Sequence, residues 1–235
     1  MNDQFARTAM LFGWENIEKL KNRRVAVFGI GGVGGHTAEA LCRIGIGAID
    51  LFDGDVVDIT NINRQIIATH KTIGQVKVDV MKERLLDINP DIQIVASKLF
   101  YLPDTADEVD LTAYDYVIDA VDTMTAKLEL VCRAAGLGVP IISSMGAANK
   151  LDPTALEVTD IFKTSICPMA RIMRRELRKR GVKALKVVYT REVPVKPIDA
   201  ELRPASHRPA PGSTAFVPSV AGLILAAEVV KDLLA

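Results

Sequence analysis

The run Gly29-Ile30-Gly31-Gly32-Val33-Gly34 constrains this chain more than any other feature. It follows a β-branched stretch at 25–28 and opens a helical pattern, where glycines let the backbone turn sharply and approach a phosphate closely. Amide groups at the start of the helix add partial positive charge. Asp53 comes 24 residues after Gly29, at the end of the next strand pattern, where a carboxylate can accept hydrogen bonds from ribose hydroxyls. Gly29, Gly31, Gly32, Gly34 and Asp53 together predict a site for an adenosine-containing ligand. The bland alternative is a glycine-rich turn with no ligand, and the strand, helix and acidic residue in register weigh against it.

The surrounding pattern sets the fold class. β-Branched runs at 25–28, 49–52, 92–95, 116–120 and 140–143 alternate with helical patterns, as in a parallel sheet flanked by helices. One such helix, 76–88, carries Val76, Val80, the stem of Arg84 and Ile88 at helical spacing, and Asn89-Pro90 ends it. The expected fold is α/β, a Rossmann-like, doubly wound and mainly parallel sheet with a C-terminal α+β extension. In that extension 156–161 and 185–190 read as strands, and 168–180 as a helix with Met169, Met173 and Leu177 on one face.

The expected organisation is a single domain over 1–235, with an N-terminal helical arm at 1–22, a nucleotide-binding core at 23–150 and the extension at 151–235. Residues 191–216 hold five prolines, Pro194, Pro197, Pro204, Pro209 and Pro211, and read as a long functional or disordered loop before a closing helix. With 49% hydrophobic and 25% charged residues, the composition is that of a globular protein. The apolar stretch at 217–227 is too short to span a bilayer and contains Pro218, so no membrane role and a cytoplasmic location are expected. Cys42, Cys132 and Cys167 are too few for a four-cysteine zinc site and suit a reducing compartment. Cys42 and Cys132 read as core; Cys167, before Pro168 at a helix start, reads more as packing than as a nucleophile.

Whether the nucleotide is NAD or ATP turns on other residues. Asp53-Gly54-Asp55 is followed by Asn61-Ile62-Asn63-Arg64-Gln65, and Gly74-Gln75-Val76-Lys77 puts a lysine on the first turn of a helix. Hydride transfer needs a nicotinamide slot and little extra cationic charge, whereas Arg64, Gln65 and Lys77 look like donors for a triphosphate. Asp119-Ala120-Val121-Asp122 ends another strand, where ligands of an open α/β sheet gather. Asp122 beside a triphosphate is a natural magnesium ligand, so ATP and Mg2+ are the expected cofactors.

Taken in this order, GIGGVGG, LFDGD, TNINRQ, GQVK and DAVDT resemble the ThiF/MoeB-type superfamily of ATP-dependent adenylating enzymes, relatives of the ubiquitin-activating enzymes, over about 5–193. The resemblance implies ribose binding by Asp53, phosphate contacts by Asn61, Arg64, Gln65 and Lys77, and magnesium binding by Asp122, with Asp55 and Asn63 at the same cofactor site. It also implies catalytic roles for Arg64 and Lys77, and for Arg7 reaching the phosphates of a partner subunit, hence a homodimer. Thr123 departs from the asparagine many members carry, and His36 has no role in the pattern.

Members that activate ubiquitin-like sulfur carriers typically hold zinc on two Cys-x-x-Cys pairs, which this chain lacks. The stretches at 45–48, 61–66, 119–122, 151–154 and 158–164 are instead similar to the tRNA threonylcarbamoyladenosine dehydratase branch. That likeness implies ATP-dependent cyclisation of threonylcarbamoyladenosine in tRNA through an acyl adenylate, releasing AMP and pyrophosphate. A sulfur-relay protein is a further candidate partner. The alternatives are adenylation of a ubiquitin-like sulfur carrier's C-terminus, with 191–216 as its groove, a nucleotide-sensing module, and an NAD-dependent oxidoreductase.

Formal charge sums to zero, from 29 basic and 29 acidic residues. The sum hides polarisation: 171–186 holds eight basic residues against Glu176 alone, and 104–122 holds seven acids and no base. A basic helix of this kind either tracks RNA phosphates or is a solvated face.

Overall fold

The structure is a computed structural model that describes residues 3–196, 198 and 211–235. Pro197, Pro204 and Pro209, and half of the expected 191–216 loop, lie outside the described residues. Seven strands form one sheet: β1 (Arg24–Phe28), β2 (Ala48–Phe52), β3 (Gln93–Ser97), β4 (Tyr116–Asp119), β5 (Ile141–Ser144), β6 (Leu156–Asp160) and β7 (Lys186–Thr190). Their order is β3-β2-β1-β4-β5-β7-β6, parallel throughout except that β6 runs antiparallel to β7. The fold is therefore α/β and doubly wound, with its strand order reversing between β1 and β4.

Among the described residues seven α-helices accompany the sheet: α1 (Ala6–Phe12), α2 (Trp14–Lys21), α3 (Gly34–Ile44), α4 (Lys77–Ile88), α5 (Met124–Leu137), α6 (Pro168–Lys179) and α7 (Phe216–Leu234). β2 is buried at every position and β1 at all but its first, as expected of central parallel strands covered on both faces. One core cluster joins Val25, Val27, Ile49 and Leu51 to Leu41, Met81, Leu225 and Val229, so α3, α4 and α7 cover one face. A second, around Phe28, Val117, Leu130 and Ala134, places α5 on the other. The extension has its own cluster, in which Met173 and Leu177 of α6 meet Val187 and Tyr189 of β7, while Met169 is only half-buried.

Two local features set the height of the site. Gly29 has φ 87°, a left-handed conformation open to glycine, and a Cβ there would lie 2.8 Å from the Ala120 carbonyl oxygen. A Cβ on Gly34 would lie 1.8 Å from the Gly29 oxygen, so both glycines are required by close backbone approach. The acidic run at 104–122 is largely absorbed locally: Asp110 caps a turn through the Thr112 amide, Asp115 binds Arg23 and the Arg24 amide, Asp107 pairs with Arg133, and Asp119 is buried against Lys127. No described helix is long and apolar enough to cross a membrane.

Candidate active site

A cavity of about 610 Å³ opens at the C-terminal ends of β1, β2, β4 and β5, a size typical of small-molecule sites. It straddles the reversal of strand order, where parallel sheets bind ligands because the connections diverge there. Its wall includes Gly29, Gly31, Gly32, Asp53, Asp55, Arg64, Gln65, Lys77 and Asp122. Tertiary structure thus gathers nine sequence-flagged residues from five separate segments on one cavity.

Asp53 is held by the glycine loop itself. Its Oδ2 accepts from the Ile30 amide at 2.6 Å and its Oδ1 from the Asp55 amide at 2.9 Å. The carboxylate therefore clamps the loop and presents its remaining lone pairs to the cavity, the geometry needed to receive hydroxyl donors. Lys77 is positioned from the opposite side: its amide donates to the Asp55 carbonyl at 3.1 Å and its Nζ to Asp55 Oδ2 at 2.8 Å. The lysine side chain is 7% exposed and the aspartate 54%, so the cation is sheltered while its partner can swing into solvent.

Arg64 donates from its guanidinium to the Thr60 carbonyl at 2.9 Å and to Asn63 Oδ1 at 2.8 Å, which directs the head group along the loop. Gln65 is buried, and its Oε1 has no partner among the described residues, so the amide remains available to a ligand. Asp122 is exposed, and its one side-chain hydrogen bond among the described residues is a long contact from Thr123 at 3.5 Å. A carboxylate so placed fits magnesium, which takes one or two carboxylates together with phosphate oxygens and water. No group of three or more His, Cys, Asp or Glu among the described residues forms a metal cage, so an ion here would arrive with the phosphates.

Four flagged residues do not line the cavity. Gly34 shapes the loop from behind. Asn61 is buried in a capping box, its Oδ1 accepting from the Asp58 amide at 3.1 Å. Asn63 donates to the Ser213 carbonyl at 3.0 Å and ties the loop to the approach of α7. Arg7 is exposed on α1, outside the cavity of its own chain. His36 bonds Gly32 through Nδ1 to the carbonyl at 2.9 Å and braces the loop. Cys167 is buried at the start of α6, and burial pushes the Cys42 thiol up to about 11.

Several wall residues have no catalytic signature in the sequence: Phe100, Met145, Gly146, Met169 and Pro218. Phe100 is 58% exposed and lies where a Cβ on Gly54 would be 2.5 Å from its ring, so Gly54 makes room for an aromatic wall. Gly222 is a signal that could have been read, being a lone glycine in an apolar helix. A Cβ there would meet the Val33 carbonyl at 2.4 Å, so Gly222 lets α7 press Pro218 onto the glycine loop.

A parallel-sheet nucleotide cavity with a glycine loop, two cations and an unencumbered carboxylate defines an enzyme of the nucleotide-activating class. The chain belongs to the ThiF family, whose model matches residues 5–235. It is 47% identical over all of its length, and 96% of the relative's, to tRNA threonylcarbamoyladenosine dehydratase of Bacillus subtilis (strain 168). Against the enzyme of that name from Escherichia coli (strain K12) it is 39% identical over 74% of this chain and 65% of that one. The crystal structure of the E. coli dehydratase TcdA in complex with AMP superposes with a TM-score of 0.90 at 33% identity, covering 98% of this chain and 93% of that one. The complex of the same enzyme with ATP gives 0.88 at 32% identity, with the same coverage.

Proposed function

We propose that this chain is an ATP-dependent dehydratase that cyclises threonylcarbamoyladenosine in tRNA. The observation that carries the reading is the gathering of Arg64, Gln65, Lys77 and Asp122 on one cavity, in a chain similar along its whole length to a dehydratase of that name. A carboxylate is a poor electrophile until one oxygen becomes part of a leaving group. In the first step the threonyl carboxylate oxygen bonds to the α-phosphorus of ATP, the bond to pyrophosphate breaks, and an acyl adenylate results.

Negative charge grows on phosphate oxygens as that bond breaks, and stabilising it is the enzyme's main task. Lys77 Nζ, sheltered and borrowed from Asp55, and the guanidinium of Arg64 supply the chain's own positive charge. Asp122 would hold magnesium, which when bound neutralises phosphate oxygens. The glycine-loop amides cradle phosphate, Asp53 takes the ribose, and Phe100 offers a flat wall to the base. In the second step the carbamoyl group of the same side chain attacks the activated carbonyl and releases a proton to solvent, while the acyl–oxygen bond breaks and AMP leaves with the former carboxylate oxygen, a net loss of water. Because nucleophile and electrophile are tethered, holding them in contact supplies much of the acceleration.

Arg7 completes the site from a second copy in this reading. It lies on α1 beside Met10 and Leu11, which are 80% and 85% exposed and would be covered in a homodimer. The reaction belongs to the cytoplasm, where its tRNA substrate is. The test is incubation with ATP, magnesium and tRNA bearing threonylcarbamoyladenosine, followed by nucleoside mass analysis. Loss of one water, abolished by Lys77→Ala or Asp122→Ala and partly restored by mixing Arg7→Ala with Lys77→Ala subunits, is the expected result. AMP formation only with a ubiquitin-like protein overturns it.

A further inference from the structure

The basic stretch at 171–186 is sorted by the structure into half-buried and exposed cations. Lys186 is half-buried and donates to Asp232 at 2.7 Å, and Arg174 is half-buried against the Thr164 hydroxyl. Arg171, Arg175, Arg178, Lys179, Arg180 and Lys183 are exposed. Ala170, Met173 and Leu177 bury one face of α6, and Arg171, Arg175 and Arg178 follow one another at spacings of four and three along its exposed side. They form a stripe of three guanidinium groups along the helix axis.

The helix begins at the cavity, where Met169 lines the wall. At about 1.5 Å per residue the stripe starts roughly 3 Å beyond Met169 and extends to roughly 14 Å. Its charges oppose local stability. Like charges at these spacings destabilise a helix, and α6 has no acid in its first turn to complement the positive end of its dipole.

α2 provides the contrast within the same molecule. It has Glu15 in its first turn and Lys19 and Lys21 in its last, with ion pairs Lys19–Glu15 at 3.0 Å and Lys21–Glu18 at 2.7 Å. On that helix each of these lysines is matched by a carboxylate of the same helix, so the face neutralises itself. On α6 a single carboxylate, Glu176, serves Arg175, Lys179 and Arg180, and their hydrogen bonds, Arg180's first, hold it down at about 2. Arg178 lies 5.1 Å from the centre of the Phe162 ring, which fixes its direction without neutralising it.

We infer that the exposed stripe Arg171, Arg175 and Arg178 is the track on which the phosphate backbone of the RNA substrate lies while its modified base enters the cavity. This rests on the tRNA reading of the cavity and assigns residues to it. Charges repeated along one exposed helix side suit a phosphate backbone, so the stripe positions the RNA and contributes salt-dependent affinity. A protein partner with an acidic surface is the competing occupant.

The test is tRNA binding at several salt concentrations for the full chain and for Arg171→Gln/Arg175→Gln/Arg178→Gln, with Lys19→Gln/Lys21→Gln as control. The triple variant is expected to fold, to keep its KM for ATP, to bind tRNA on the order of tenfold more weakly, and to lose roughly two to three from the slope of log K against log salt. The α2 control is expected to match the parent. An unchanged slope, equal losses in the control, or unaltered tRNA binding with lost binding of a ubiquitin-like protein overturns the track. Cyclisation by the parent with an unchanged slope overturns the track alone. A slope loss in a chain that binds but never cyclises the tRNA overturns the assigned reaction and leaves the track standing.

Discussion

Replacing Lys127 with methionine should expose how the cavity floor is held. Lys127 of α5 and Asp119 at the end of β4 are both fully buried and paired at 2.8 Å. The ammonium has three partners, since it also donates to the Ser144 carbonyl at 2.9 Å and to Ser143 Oγ at 3.2 Å. Ser143 in turn donates to the same Asp119 oxygen, and Asp119 Oδ1 accepts from the Val121 amide at 3.2 Å. The network ties the ends of β4 and β5 together where Ala120, Asp122 and Met145 enter the cavity wall.

Removing one partner of a buried pair strands the other charge, at a cost of about 3–5 kcal/mol. For a chain of this size that lowers the melting temperature by roughly 6–20 °C. Methionine matches the stem but offers no proton. Lys127→Met/Asp119→Leu/Ser143→Ala removes the stranded groups together and should regain at least about 1 kcal/mol over the single variant, short of full recovery because the Val121 amide and Ser144 carbonyl lose partners. Urea unfolding gives the stabilities, and pyrophosphate release gives the function. The triple variant should regain stability without regaining turnover. A Lys127→Met loss under about 1 kcal/mol, or a triple variant no more stable than the single one, refutes this account of the network.

Two glycines and acid stability provide three more outcomes. Gly34→Ala puts a methyl 1.8 Å from the Gly29 oxygen and should cost about 1–3 kcal/mol or more and weaken ATP binding by calorimetry. Gly74→Ala, at φ 83° with nothing within 4 Å, should cost only about 1–2 kcal/mol of backbone strain and leave ATP binding intact. Burial pushes the Glu39 carboxyl up, but hydrogen bonds from Arg84 and Arg43 outweigh it and hold the group below its ordinary value of 4.5. Its contribution is present above that value and lost as pH falls through the lower folded one, so Glu39→Gln should flatten the acid limb of a stability-versus-pH curve.

What could be read from the sequence is what depends on local order. Strand and helix periods placed the elements to within a residue or two, because burial on both faces of a parallel sheet forces apolar runs and helical faces repeat at fixed spacing. The glycine loop and Asp53 were legible because a tight backbone turn closed by a carboxylate permits few residue types at that spacing. Charge was legible only as a count: the sequence showed eight bases near α6, whereas the fold decided that Lys186 and Arg174 are engaged and that Arg171, Arg175 and Arg178 align. The same holds for the wall. Phe100, Met169 and Pro218 come from loops and helices distant in sequence, and Asn61 turned inward into a cap, because which side chains meet depends on how separate elements pack rather than on any pattern within one of them.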